Sequence, residues 1–244
     1  MLERGLNRLG EFSRAFTPEK LEEAWHVFQT EFPLGLWETL YVTFLATLFA
    51  IVLGMPLGIL LVTGDEKGIR PLPKPIMKFL NILINLLRSI PFLILMVMVI
   101  PLTRVIVGTS LGSVASIVPL VVAAFPFVAR LVESSLRELD PNVIEMAQSM
   151  GASTWQIIFR VMIPESVPSL ITNFTLAITT IMGYTAMSGA MGGGGLGKIA
   201  INYGYSRYKY AVLYLAVIVL VLITQVLQSF GTWLARRCDK RLKQ

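Results

Sequence analysis

Four stretches of the chain contain no Asp, Glu, Lys or Arg: residues 39–64, 105–129, 166–197 and 210–235. About 20 apolar residues cross a bilayer as a helix, so each stretch is long enough. Lipid offers no partner for a free backbone N–H or C=O, which makes helices the expected form. Barrel strands would alternate over segments of about ten residues, and these runs are continuous. A fifth apolar stretch, 79–101, is interrupted by Arg88. The pattern therefore predicts five crossings, at 36–63, 79–101, 111–130, 167–190 and 210–235. The expected fold class is an all-α integral membrane protein. Ahead of the first crossing, Leu21, Trp25 and Phe28 recur at helical spacing after Thr17-Pro18, a cap followed by Pro at the first helical position. Residues 18–31 are read as an amphipathic helix near the outer membrane surface, with His26 as an interfacial side chain.

The longest loop, 131–166, has a pattern of its own. Asp140 is a plausible N-cap with Pro141 at the first helical position, and Val143, Ile144, Ala147 and Met150 follow at helical spacing. Gly151 suits the left-handed residue that ends a helix. Ser153 can cap a second helix carrying Trp155, Ile158, Val161 and Met162, which Pro164 is expected to stop. Two short helices meeting at a glycine, with apolar residues on a soluble loop, mark a docking surface. Within the fourth crossing, Ser169, Thr172, Thr175, Ala177, Thr179, Thr180, Gly183, Thr185, Ala186 and Ser188 are small or hydroxylated. Such a helix either packs closely against its neighbours or lines a path. Gly54, Pro56 and Gly58 kink the first crossing or let it pack closely, and Pro119 and Pro126 suggest a bend in the third.

Charge fixes the expected orientation. The net charge is +6, from 21 basic and 15 acidic residues. Arg236, Arg237, Lys240, Arg241 and Lys243 crowd the tail, and Lys67, Arg70, Lys74 and Lys78 the loop after the first crossing. Cytoplasmic loops collect Lys and Arg, so both are placed inside, the N-terminus outside and loop 131–166 inside. The basic balance is thus a membrane signature, and no nucleic-acid partner is expected. The domains read as an extracytoplasmic segment 1–33, a membrane domain 34–235 and a basic cytoplasmic tail 236–244. Charged residues make up 15% of the chain, against about 25% in soluble domains.

Cys238 is the only cysteine, on the reducing side with nothing to pair with. One His and one Cys do not make a metal site, no serine lies in a nucleophile elbow, and no cofactor or enzymatic activity is expected. Residues 192–199, Gly-Gly-Gly-Gly-Leu-Gly-Lys-Ile, nearly match a P-loop, but Ile199 stands where a Ser or Thr would hold magnesium and no strand precedes it. The glycines are read as a tight turn at the outer end of the fourth crossing. With no nucleotide site of its own, the chain needs another subunit as its energy source.

Glu145-Met146-Ala147, then Gly151, then Ile163-Pro164 resembles the signature of permease subunits of binding-protein-dependent ABC importers, with Met146 and Ile163 as conservative departures. Arg88-Ser89-Ile90-Pro91-Phe92 resembles the second-crossing motif of amino-acid permeases. Stretches 100–110, 150–157, 183–187 and 193–197 are similar to the methionine branch. The resemblance covers roughly 36–230 and implies a type I importer permease fold in the bacterial inner membrane. It implies a homodimer, a cytoplasmic ABC ATPase dimer and an external methionine-binding protein, with the path between the two copies and lipid around them. The coupling residues carried over are Glu145, Ala147, Met150, Gly151, Ala152, Trp155 and Pro164, the glycine being required because a side chain would block the corner. Met187 is placed at a constriction on the path, with plain packing as the alternative, and Tyr184 beside it. Arg88 either snorkels to the inner interface or organises the inner mouth through Glu133 or Glu138. Competing functions are a permease for another amino acid or a dipeptide, a self-sufficient secondary transporter or channel, and an intramembrane enzyme.

Overall fold

Apolar residues four apart form stripes that meet in one core. Val42, Ala46 and Ala50 face Leu120, Ala124, Val128, Val132 and Leu136, and Leu170, Ala177 and Ile181 close the third side. These stripes lie on long helices of a computed structural model, which describes residues 17–239. The first sixteen residues and the expected basic positions Lys240, Arg241 and Lys243 lie outside the described residues.

Helix α1 is Pro18–Thr30 and α2 is Phe32–Thr63. Thr17 occupies the N-cap position of α1, but its hydroxyl caps nothing; Pro18 alone starts the helix. Ala24, Val27 and Phe32 bury against Leu196, Ile199, Val212 and Ala216, so the amphipathic helix is folded onto the membrane domain. Trp25 and Leu21 stay on its exposed face. At 1.5 Å per residue α2 is about 48 Å long, more than the ~30 Å hydrocarbon layer. Pro56 does not break it. Gly54 and Gly58 let it approach α6 (Ser113–Arg137) closely: a β-carbon would sit 2.8 Å from the Phe125 carbonyl oxygen at Gly54 and 2.6 Å from that of Ala129 at Gly58.

The expected second crossing is not one straight helix. It divides into α3 (Lys74–Ser89) and α4 (Phe92–Met98), which bend by 106° at Ile90-Pro91. A proline pushes the residue before it out of the helical region, and Ile90 is extended, with φ −76° and ψ 125°. Pro101 does not end the segment either; it opens α5 (Ile100–Val107). Among the described residues, four helices are long and apolar enough to cross a membrane, or five if the bent pair counts as one.

The third crossing runs on to Arg137, well past the expected end at residue 130, so the elbow starts later than the loop pattern suggested. Next come α7 (Pro141–Ser149) and α8, helical throughout Thr154–Met191. Pro164 does not stop the second short helix, which is the beginning of α8 itself. A proline inside a helix lacks an N–H and crowds the carbonyl four residues back. The wide π-helical turn Ile157–Met162 precedes it and carries the helix through. The short α9 (Gly195–Ile199), a second π-helical turn at Ala200–Tyr205 and α10 (Tyr210–Cys238) complete the fold.

Candidate functional site: the elbow and the α8 face

The elbow is built by local chemistry. Asp140 caps α7 by accepting the Asn142 N–H at 2.9 Å. At the far end Gly151 is left-handed, with φ +75°. Its N–H donates to the Gln148 carbonyl at 2.9 Å, and the Ala152 N–H to that of Ala147 at 3.1 Å. Ser153 then starts α8 with a reciprocal cap: the Gln156 N–H donates to its hydroxyl, and its own N–H donates to Gln156 Oε1. Ala147 is buried against the core, which explains its small side chain there. Met146, Met150 and Trp155 turn outward, 60%, 75% and 67% exposed. Trp155 stacks on Phe159, which is also exposed, with ring centroids 5.7 Å apart. Glu145 is exposed on the same short helix and Ala152 is half-buried at the corner. Pro164 lies two turns up α8, exposed but away from the corner. No heavy atom lies within 4 Å of a β-carbon at Gly151, so within this chain the residue is fixed by its backbone angle and not by crowding.

Beside the elbow a polar network ties three segments together, and the sequence reading missed it. Arg130 pairs with Glu133 at 2.6 Å, the two side chains only 20% and 12% exposed. Arg130 also donates to Asn81 Oδ1 at 2.7 Å and Asn85 Oδ1 at 3.2 Å on α3. Arg137 donates to Glu133 at 3.1 Å and to Asp65 at 2.8 Å, in the loop after α2. The Arg137 guanidinium holds the Asp65 carboxyl below its usual range, helped by the Glu66 N–H. Glu133 is thus engaged by Arg130 and Arg137, and Arg88 pairs with neither Glu133 nor Glu138. Arg88 is exposed in the last turn of α3, where a cation meets the negative end of the helix dipole. A charge in an apolar window was visible in the sequence; which acid it would meet depended on helix packing that no local pattern encodes.

Along α8, Thr172, Leu176, Thr180, Gly183 and Met187 recur at three- and four-residue spacing on one side. Met187 is 44% exposed, and Leu176 and Gly183 are exposed with it. The hydroxyls on this side are already satisfied: Thr172 donates to the Pro168 carbonyl at 3.0 Å and Thr180 to that of Leu176 at 2.8 Å. The opposite side packs. Thr185 meets Thr43 at 3.3 Å, and Asn173 donates to Ser135 at 2.7 Å. The packing reading of this hydroxyl-rich helix holds on the buried side, and the other side is exposed. Tyr184 lies over Phe92, centroids 4.7 Å apart and planes within 7°, so it pins α8 to the segment just after the Pro91 bend. In the glycine-rich run 192–199, two N–H groups that a P-loop would offer to a phosphate are already taken. Glu38 and Thr39 of α2 fill the place where a phosphate would stand, accepting the Gly195 and Leu196 N–H groups.

The family model for "Binding-protein-dependent transport system inner membrane component" matches residues 54–244. The chain belongs to that family. A probable D-methionine transport system permease protein of Pasteurella multocida is 48% identical over 209 residues, covering 85% of this chain and 95% of its own. The counterpart from Vibrio cholerae is 44% identical over 205 residues, covering 84% and 91%. Among solved structures, a chain of the MetNI methionine ABC transporter in an inward-facing conformation superposes with a TM-score of 0.83. It is 42% identical, with 84% of this chain and 95% of that one covered. The type I importer permease fold expected from the sequence is therefore the fold of this permease.

Proposed function

We propose that this permease forms the translocation path of an ATP-driven methionine importer and works as a homodimer. A separate ABC ATPase dimer drives it from inside, and an extracytoplasmic methionine-binding protein delivers the cargo. The observation that carries this reading is the capped elbow at Gly151, which presents Met146, Met150 and Trp155 as an apolar surface. Apolar side chains displayed on a rigid, hydrogen-bonded corner are a docking surface rather than a loop tip. Glu145 and Ala152 frame that surface, Ala147 seats its helix, and Pro164 with its π-helical turn connects the corner to the membrane part of α8. Movement of the docked ATPases is passed up α8 as a rigid body, turning the dimer between inward- and outward-open forms.

Methionine as cargo is supported by the names of the relatives that match over most of both chains. In this reading the elbow and the α10 tail lie in the cytoplasm and α1 outside, which the Lys and Arg of the loop after α2 and of the tail support. The exposed α8 face, with Met187 near its end, lines the axis between the two copies. The hydrophobic thioether is flexible enough to close a narrow pore.

The test is reconstitution. Vesicles carrying the permease with its cognate ATPase, supplied with binding protein outside and ATP inside, are expected to accumulate labelled methionine. Vesicles lacking the ATPase are expected to accumulate none. Uptake without the ATPase, or uptake of another amino acid in preference to either methionine enantiomer, overturns the reading.

A further inference from the structure

Glu38 is the only Asp, Glu, Lys, Arg or His in the 32 residues of α2. A carboxylate within a membrane-spanning helix is costly and is kept where something holds it. Its Oε2 accepts the Gly195 N–H at 2.6 Å, from a residue 157 positions away. The next residue, buried Thr39, accepts the Leu196 N–H at 2.9 Å while donating its own hydroxyl to the Gly35 carbonyl at 2.8 Å. The first N–H groups of a helix have no acceptor within it, so α2 satisfies two successive orphans of α9. A β-carbon on Gly194 would collide with both the Glu38 carboxylate and the Ser113 hydroxyl. The same turn is fastened to the start of α6, where the Gly112 N–H donates to the Gly192 carbonyl at 2.8 Å. It is fastened to the end of α8 as well, the Gly193 N–H donating to the Ser188 carbonyl at 3.0 Å. Residues 192–196 thus join α2, α6, α8 and α9 immediately after Met187.

We propose that Glu38 is a positioning residue for the constriction: its carboxylate latches the glycine turn, and the turn fixes where the end of α8 holds Met187. The inference rests on reading Met187 as the constriction. The charge-assisted bond from Gly195 is the tie in this hub that comes from a charged side chain, and such bonds are roughly twice as strong as neutral ones.

The test uses the ATPase-loaded complex with Cys238→Ser, reading two quantities. One is methionine transported per ATP hydrolysed. The other is the rate at which Met187→Cys reacts with a membrane-impermeant thiol reagent. Glu38→Ala is expected to assemble and hydrolyse ATP but to lose about tenfold in transport per ATP, the size of one lost charge-assisted hydrogen bond. Its Met187→Cys is expected to label faster. Glu38→Gln keeps an oxygen for the Gly195 N–H but not the charge, and is expected to lose only about threefold in transport per ATP, with labelling between the parent and Glu38→Ala. Wild-type stoichiometry and labelling in Glu38→Ala overturn the proposal, as does a Glu38→Gln variant as defective as Glu38→Ala. If Glu38→Ala does not assemble, Thr39→Val decides: unchanged labelling there overturns the latch, and faster labelling supports it. Labelling of Met187→Cys that never responds to nucleotide, with Glu38 intact, removes the constriction reading, and the transport ratio then judges the latch alone.

Discussion

Replacing Gly151 separates two explanations of why the elbow needs a glycine. The residue sits at φ +75° with open space around the position of a β-carbon. An L-residue held in that region costs about 1–2 kcal/mol. Asn tolerates it best, Ala less, and a β-branched residue is an outlier there. The chain could escape by turning right-handed at 151, but it would give up the bonds that close the corner, from Gly151 to Gln148 and from Ala152 to Ala147. Each contributes about 1 kcal/mol, so escape gains little. The penalty therefore falls on the elbow's native geometry, where about 1–2 kcal/mol shifts a two-state balance by roughly 5–30-fold. The expected order of coupling is wild type, then Gly151→Asn, then Gly151→Ala, with Gly151→Val the weakest. The assay is binding-protein-stimulated ATPase activity beside uptake in the same vesicles, with detergent melting temperature as a control. Melting temperature is expected to fall by only about 2–8 °C, because no packed side chain is disturbed. Normal coupling in Gly151→Val would refute the backbone argument. Equal loss in Asn, Ala and Val, with melting temperatures no lower than that, would assign the requirement to a groove on the ATPase that excludes any side chain.

Glu133→Gln leaves Arg130 and Arg137 facing each other without their shared carboxylate, and breaking a largely buried pair costs about 3–5 kcal/mol. It is expected to lower the melting temperature clearly, whereas Arg88→Ala, which breaks no ion pair among the described residues, leaves it within error. Met187→Ala is expected to raise methionine leak from ATP-free vesicles severalfold; leak equal to the parent's would return Met187 to plain packing. Asp65 has a folded-state pKa below the ordinary 3.8, so its tie to Arg137 contributes stability above that value and loses it as pH falls through the lower folded value. The pair is surface-exposed and salt-screened, so Asp65→Asn is expected to cost under about 1 kcal/mol at pH 7 and nothing once the parent carboxyl is protonated, as read by melting temperature against pH.

The long crossings were legible because they lack charge over a full membrane thickness, a signal that tertiary packing does not alter. The elbow was legible because its devices are local: Asp140 and Ser153 cap within three residues, and Gly151 turns the chain where the apolar period ends. Prolines were less informative. Pro91 breaks a helix, Pro56, Pro119 and Pro126 lie inside unbroken ones, and Pro164 is absorbed by a wide turn. Whether a proline breaks a membrane helix depends on what neighbours offer the freed carbonyl, and the sequence around it does not carry that information. Long-range polar partners were hidden for the same reason. Arg130 and Glu133 are three residues apart and could have been paired on a helix face. Asn81, Asp65 and the Glu38–Gly195 tie come from segments that meet only after the helices pack.

If the exposed α8 face lines the path, as proposed, the distribution of hydrogen bonds explains how it would pass a solute without holding it. The most developed polar groups in this permease join helix to helix: Arg130 to α3, Asn173 to α6, Glu38 to α9. On the exposed α8 face, Thr172 and Thr180 donate instead to carbonyls of their own helix. Those hydroxyls present only lone pairs to whatever passes, so the face is wet enough to replace some hydration and poor in donors that would bind tightly. A path of this kind favours passage over residence, as conduction requires. On the proposed function, discrimination among solutes then belongs upstream, with the binding protein, and direction belongs to the ATPase acting through the elbow. On this argument, substitutions along the α8 face change the rate of uptake more than its selectivity. A variant there that altered the preferred amino acid, with the binding protein unchanged, would place a selecting site on the path after all.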